Sequence, residues 1–281
     1  MLTDAISSEG YKLWRNRTTL FWGFVFVPVL ALGIQLFTEV YLRSKLPVEA
    51  QVQSGDLSRA ILMGAAQAAS PLTILFALIG AAVLFGGEYR WETWRLIAPR
   101  NSRVNHMLGK TAVFALATLA TIFAIVFMHF IAATIGSLVN HTPMVWKGGH
   151  VGIWFAVFFS LVFTAWLQLL QAGALVALAA VLFRSIIGSV MAPLFIGLMQ
   201  AVGQQQLAGA DPTHPEFWRL LVLPGLSADI LRAHVGGKAL AGIQMVEPNV
   251  ALMAMGALLV WIVVSLVAAV VIFQRQDLSK E

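Results

Sequence analysis

The chain has 281 residues, of which 59% are hydrophobic and only 11% charged, where a soluble domain carries about 25% charged residues. That balance excludes a soluble globular protein and a disordered chain, and the absence of cysteine excludes a disulfide scaffold, thiolate catalysis and Cys-ligated metal sites. The net charge of +5 and pI of 9.9 would suggest nucleic acid in a soluble protein, but here the basic residues cluster at the ends of apolar runs, the arrangement that orients a membrane protein. The expected class is an all-α integral membrane protein forming one transmembrane domain, residues 1–281, and the mean hydropathy of +0.82 agrees.

A membrane helix needs about 20 apolar residues, because each adds 1.5 Å across a hydrocarbon core about 30 Å thick. Six runs qualify: 20–42, 61–85, 112–139, 152–183, 186–208 and 250–273. The first is too long for a signal-peptide core and has no small-residue cleavage site behind it, so it is expected to stay as an anchor. Pro28 and Pro71 interrupt the first two runs and are expected to kink them. The fourth run is too long for one perpendicular crossing and must tilt or protrude. Only Arg184 and Ser185 separate it from the fifth, which predicts a tight hairpin with Arg184 at a water interface.

Six crossings put both termini on one side. That side holds eleven Lys and Arg against six Asp and Glu; the other holds seven of each. The positive-inside rule makes the basic side cytoplasmic, so both termini are expected inside. Trp14, Trp22, Trp91 and Trp94 flank the inner ends of the runs and Trp146, Trp154 and Trp218 the outer ends, as an aromatic belt would. Trp166 and Trp261 fall within runs and read as packing or cavity residues.

No carboxylate lies near the centre of any run; Glu39 and Glu88 lie at ends. Proton- and ion-coupled carriers usually need such a group at mid-depth, so its absence disfavours them. The polar residues inside are neutral, among them Gln35, Gln67, Ser70, Thr164, Gln168, Gln171 and Gln200. Gln168 and Gln171, three apart, share a helix face. Two readings stand: interhelical hydrogen bonding, or a polar stripe on a translocation path comprising Gln67, Thr164, Gln168 and Gln171. His129 is the one ionisable residue well inside a run, and a neutral imidazole bonded to a neighbouring helix is the expectation. No catalytic, cofactor or metal site is expected on the chain. The run 104–111 ends in Gly109-Lys110-Thr111, yet position 104 is Val and no strand precedes it, so it is not a phosphate-binding loop. Any ATP must be hydrolysed by another subunit.

The loop expected over 86–111 carries the most information. Residues 88–98 plot as a short helix ended by Pro99, with Glu88, Glu92 and Arg95 on one face and Trp91, Trp94 and Ala98 on another. This is either an ordinary amphipathic loop or a docking helix for a soluble partner. In order, Glu88, Thr93, Pro99, Arg103, Gly109 and Lys110 resemble the pattern of ABC-2-type transporter permeases, with Glu92 where the family often has Gly before the Thr. Residues 8–17, with Glu9, Lys12, Leu13 and the basic residues after them, are similar to the lead-in of the family members that export antimicrobial peptides or confer immunity to them.

The resemblance implies six membrane helices in an ABC-2 (type V exporter-like) architecture in the cytoplasmic (inner) membrane, and an interfacial elbow helix over 1–18. It also implies an ATPase-coupling set of Glu88, Arg90, Trp91, Glu92, Thr93, Trp94, Arg95 and Arg103. By the same resemblance, this permease pairs with a second copy of itself or a related permease, and with two copies of a cytoplasmic ATPase that holds the ATP and Mg. The cargo is expected to be hydrophobic or amphiphilic and exported. The outer segment 209–249 either dips into the outer leaflet or forms a surface loop. Two other readings remain: a non-transporting scaffold worked mechanically by an ATPase, and a carrier driven by an ion gradient.

Overall fold

The computed structural model describes residues 1–42, 45, 55–90, 102–207, 216–240 and 247–276. Among them, six helical stretches are long and apolar enough to cross a membrane: Arg17–Tyr41, Pro71–Arg90, Arg103–Val139, Val151–Phe183, Ile186–Gln204 and Pro248–Arg275. The protein is an all-α membrane protein, and the arrangement follows from how its charges, prolines and small residues are satisfied inside the bundle.

Helix α1 (Leu2–Arg15) is amphipathic. Ala5, Glu9 and Leu13, four residues apart, form its buried stripe, which packs on the third long helix. Asn16 ends it and caps the next helix, accepting a hydrogen bond from the Thr19 amide at 3.2 Å. The chain then runs through α2 (Arg17–Leu20), a π-helical turn (Phe21–Val25), α3 (Phe26–Leu36) and a second π-helical turn (Phe37–Leu42) as one stretch. The first π turn has an identifiable cause. Pro28 has no N–H to give the Phe24 carbonyl four residues back, and its ring crowds that carbonyl. Thr121, on the third long helix, offers a donor in its place: its one hydroxyl proton is shared between the Phe24 carbonyl at 3.1 Å and the Ala117 carbonyl of its own helix at 2.9 Å. Close by, Gly23 meets Gly80 backbone to backbone; a Cβ on Gly23 would lie 2.8 Å from the Gly80 Cα. Only glycine permits that approach.

The run 61–85 is two helices rather than one kinked span. Helix α4 (Leu57–Gln67), capped by Asp56, ends in a turn, and α5 (Pro71–Arg90) restarts with Pro71 at its first position, where a missing N–H costs nothing. The Thr73 amide donates to Ser70 Oγ at 3.3 Å to cap the restart. Helix α5 continues past residue 85 to Arg90, and α6 (Arg103–Val139) begins well before residue 112. The 86–111 segment is therefore helical at both ends, and what joins the two helices is 91–102. Hydropathy placed the boundaries at charged residues; the helices run through Glu88 and Lys110 because those charges are paired inside the protein.

Helix α7 (Val151–Phe183) is the central strut, packed along α5, α6 and the last helix, α11 (Pro248–Arg275). Arg184 then takes a left-handed conformation (φ +51°) and turns the chain into α8 (Ile186–Leu207), which is largely exposed and contains Pro193. In the 209–249 segment, α9 (Phe217–Val222) and α10 (Pro224–Leu240) pack on α11 through a second apolar cluster around Leu220, Ala254 and Leu258. Trp261 of α11 donates its indole N–H to the Leu221 carbonyl at 2.6 Å, a packing role.

At the end of the bundle away from α1, a two-residue parallel pairing joins β1 (Gly55–Asp56) to β2 (Met144–Val145). Trp154 Nε1 donates to the Ser58 carbonyl at 3.3 Å there, which fixes the start of α7 against α4. Gly64 admits His129 and Val126, and Gly173 admits the Phe114 ring, whereas Gly188 meets Phe183 at the end of the preceding helix.

Candidate functional site

Three segments far apart in sequence converge where α5 ends. Ala5 of α1 lies against Gly109 of α6, where an added Cβ would come within 3.0 Å of the Ala5 Cβ and 3.1 Å of its carbonyl carbon. One turn along α1 and one residue along α6, that approach brings Glu9 and Lys110 together. Lys110 is 1% exposed and donates to Glu9 Oε2 at 3.1 Å, Glu88 Oε1 at 2.6 Å and the Leu84 carbonyl at 2.5 Å. Lys12 donates to Glu9 Oε1 at 2.6 Å and Glu88 Oε1 at 3.2 Å. Two carboxylates and two ammonium groups thus alternate in a closed ring of zero net charge, linking α1, α5 and α6.

The ring is buried except at Lys12, whose side chain is 42% exposed. Burial acts to lower the Lys12 pKa, but Glu9 and Glu88 outweigh it and hold the pKa above its ordinary 10.5. The second Glu88 oxygen, Oε2, is buried with no hydrogen-bond partner among the described residues. Glu88 therefore faces inward and not onto an exposed docking face with Glu92 and Arg95, as the helical plot had it. Hydropathy at the end of a run suggested exposure, and pairing with Lys110 reversed it.

The next residue ties α5 to the opposite side. Tyr89 donates its hydroxyl to Gln276 Oε1 at 2.9 Å, and Gln276 Nε2 donates to the Val181 carbonyl of α7 at 2.7 Å. Arg103, at the first turn of α6, donates to the Phe273, Gln274 and Gln276 carbonyls at 2.9, 3.1 and 2.7 Å. It satisfies carbonyls that the end of α11 leaves without helical partners. The last turn of α5 is therefore bonded to α1 and α6 through Glu88 and to α7 and α11 through Tyr89. Arg90 is exposed. Trp91, Glu92, Thr93, Trp94 and Arg95 lie outside the described residues.

The sequence singled out Glu88 and Arg103 as site residues but not Glu9, Lys12, Lys110, Tyr89 or Gln276. The available signal was a pair of lysines and a pair of glutamates near helix ends, with Gly109 beside Lys110 marking a close approach. Which acid meets which base was decided by packing. The ring contains no nucleophile, and no group of three or more metal-binding side chains occurs among the described residues. The ring joins α1, α5 and α6, and the Tyr89, Gln276 and Arg103 bonds beside it add α7 and α11.

The polar residues suggested as a translocation stripe do not form a single file. Thr164 donates to the Ser160 carbonyl of its own helix at 2.8 Å. Gln168, halfway along α7, accepts from Arg232 of α10, which also donates to Asp229 at 2.8 Å. Gln171 is buried in the same helix. Gln67 lies elsewhere, in a cavity of about 110 Å3 with Gln35, Ser70, Thr73 and His129. His129 Nδ1 lies 3.0 Å from the Ile125 carbonyl, and Nε2 lies 3.2 Å from Gln35 Nε2. The imidazole ring thus bridges from its own helix to Gln35 of α3. This is the interhelical role expected of it.

No protein-family model and no curated protein matches the chain.

Proposed function

We propose that this protein is the membrane-spanning permease subunit of an ABC-2-like transporter, driven by ATP that a separate cytoplasmic subunit hydrolyses with Mg. One observation carries the reading. The residues on which the family resemblance rests come from three distant segments, yet Glu9, Lys12, Glu88 and Lys110 form one buried ring, and Arg103 bonds the end of α11 beside it. A motif scattered through a sequence by chance has no reason to assemble.

In this reading the ring end of the bundle is cytoplasmic, in the inner membrane, and both termini lie inside. The segment after α5 docks on the ATPase through Glu92 and Arg95, with Trp91 and Trp94 toward the bilayer. Glu88 is then a positioning residue behind the docking face. A push on that segment reaches α1 and α6 through the ring, and α7 and α11 through Tyr89 and Gln276, so five helices move together. Two permease copies pair, and the pathway opens between them. The chain itself hydrolyses nothing. The contact of Arg232 with Gln168 at the middle of α7 supports α10 dipping into the outer leaflet.

The test is co-purification with a cytoplasmic ATPase subunit, followed by Glu92→Arg and Arg95→Glu together. The expected result is an intact complex whose ATP hydrolysis no longer responds to cargo. Coupling that survives both reversals refutes the docking assignment, and cargo movement by the purified chain alone refutes the class.

A further inference from the structure

The polar cavity of about 110 Å3 has a defined depth in the bundle. Ser70 lies 18 residues before Glu88 and His129 lies 19 after Lys110, and those two charges touch in the ring. At 1.5 Å per residue both counts put the cavity about 27 Å from the ring. Hydrocarbon is about 30 Å thick, so the cavity sits near its far boundary. The lining is graded along that axis. Gln35, Gln67, Ser70 and His129 hold the far end. Val27, about two turns nearer the ring than Gln35, and Ile125, about one turn nearer than His129, hold the near end. Gln67 ends α4 and Ser70 caps the start of α5, so the break between these helices supplies two of the polar groups. Gln67 and Ile34 are exposed, which opens the cavity through the flank of the bundle.

The polar end is uncharged and only partly spent. Ser70 and Thr73 bond each other at 2.9 Å, and Gln35 meets His129 through one end of its amide at 3.2 Å. The other end of that amide is left to the cavity. The Gln67 side chain makes no hydrogen bond among the described residues. An amide without a partner at the edge of hydrocarbon is costly, so water or a ligand must satisfy it. No Lys, Arg, Asp or Glu is among the described residues that line the cavity, so a charged headgroup there would go unbalanced. A hydroxyl both donates and accepts through a single atom, and so serves either end of an amide or a serine alike. The volume holds three or four groups of roughly 30 Å3 each, the scale of a glycerol or one edge of a sugar.

We propose that this cavity binds the uncharged, hydroxyl-bearing headgroup of a bilayer amphiphile, a glycerol- or sugar-headed lipid that enters through the flank. Its hydroxyls bond the Gln67 and Gln35 amides at the far end, and its chain runs toward the ring along Leu30 and Val27 of α3. The graded lining sets that orientation, because the polar groups lie at the depth of a headgroup and the apolar ones at the depth of a tail. The site stands whether or not the chain works with an ATPase.

The test uses the full chain in phosphatidylcholine vesicles with a trace of dodecyl photoprobe carrying a diazirine midway along its chain. Three probes differ only in headgroup, which is glucoside, sulfate or trimethylammonium, and labelled residues are read by mass spectrometry. The expected glucoside label on Val27, Leu30 and Ile125 exceeds that on exposed Phe195 and Leu198 of α8 several-fold, and excess unlabelled dodecyl glucoside displaces it. The two charged probes show no such excess. Gln67→Leu keeps the bulk of an exposed side chain and should lower the cavity label about fivefold, the effect of one lost hydrogen bond, with the α8 label unchanged. Ala31→Phe fills the cavity and removes its label; Gln67→Leu serves alone if that variant does not fold. Cavity label no greater than that of α8, as a cavity holding only water would give, overturns the site. Equal label from all three headgroups, or glucoside label that Gln67→Leu leaves unchanged, overturns it as well.

Discussion

Removing Lys110 is the sharpest perturbation of the junction. In Lys110→Met the ring passes from zero net charge to −1, and Glu9 and Glu88 are left buried with only the half-exposed Lys12 between them. Three hydrogen bonds disappear at once, to Glu9, Glu88 and the Leu84 carbonyl. Breaking a buried ion pair by deleting one partner costs about 3–5 kcal/mol, mostly because the remaining charge is uncompensated. For a protein of this size that corresponds to a fall of on the order of 10 °C in the midpoint of thermal unfolding. Adding Glu88→Gln restores neutrality and leaves the intact Glu9–Lys12 pair, so about 2–3 kcal/mol should return, read as a coupling energy in a double-mutant cycle. Unfolding of the four proteins in one lipid–detergent mixture, followed by tryptophan fluorescence, measures this. A single variant within about 1 kcal/mol of wild type, or a double variant no better than the single, would refute the account of a closed, charge-balanced ring.

Thr121→Val strips the Phe24 carbonyl of the donor that replaces the amide Pro28 lacks, and should cost about 1–2 kcal/mol. The same change in a Pro28→Ala background, where an N–H is restored, should cost much less, and equal costs in both backgrounds would remove the compensation argument. Gly109→Val drives a side chain into Ala5 and should lift α1 from α6; limited trypsin cleavage at Arg15 and Arg17 would then quicken, and an unchanged digest would count against the close approach. For pH, the sign follows from the raised Lys12 pKa: its stabilising contribution is fully present below about 10.5 and is lost as pH rises through the higher folded value. The alkaline fall in thermal midpoint should accordingly be shallower in Lys12→Gln than in wild type, and identical slopes would exclude Lys12 as a source of it.

Much of this protein was legible in its residues. Six apolar stretches follow from composition and run length alone, because a chain in hydrocarbon must satisfy its backbone within each helix. The turn at Arg184 follows from two residues between two long runs, and the contact of His129 with a neighbouring helix from its being a lone imidazole within an apolar run. These are local properties, and a linear sequence states local properties directly.

What the sequence left undecided was pairing. Hydropathy ended α5 near residue 85 and began α6 at 112 because Glu88 and Lys110 look costly in an apolar setting; they are not costly once each supplies the other's counter-charge. Glu88 looked like a surface charge ready to dock and is instead buried against Lys110. The break before Pro71 likewise needed a third dimension, since the sequence allows a kink or a fresh start and only the packing of α4 against α6 and α7 selects the latter. Gly109 carries no chemistry, yet the absence of its side chain sets how near α1 comes and hence whether Glu9 reaches Lys110. A charge states its sign in the sequence, but its energy depends on which opposite charge lies within 3 Å or so of it, and that distance exists only after the helices have packed.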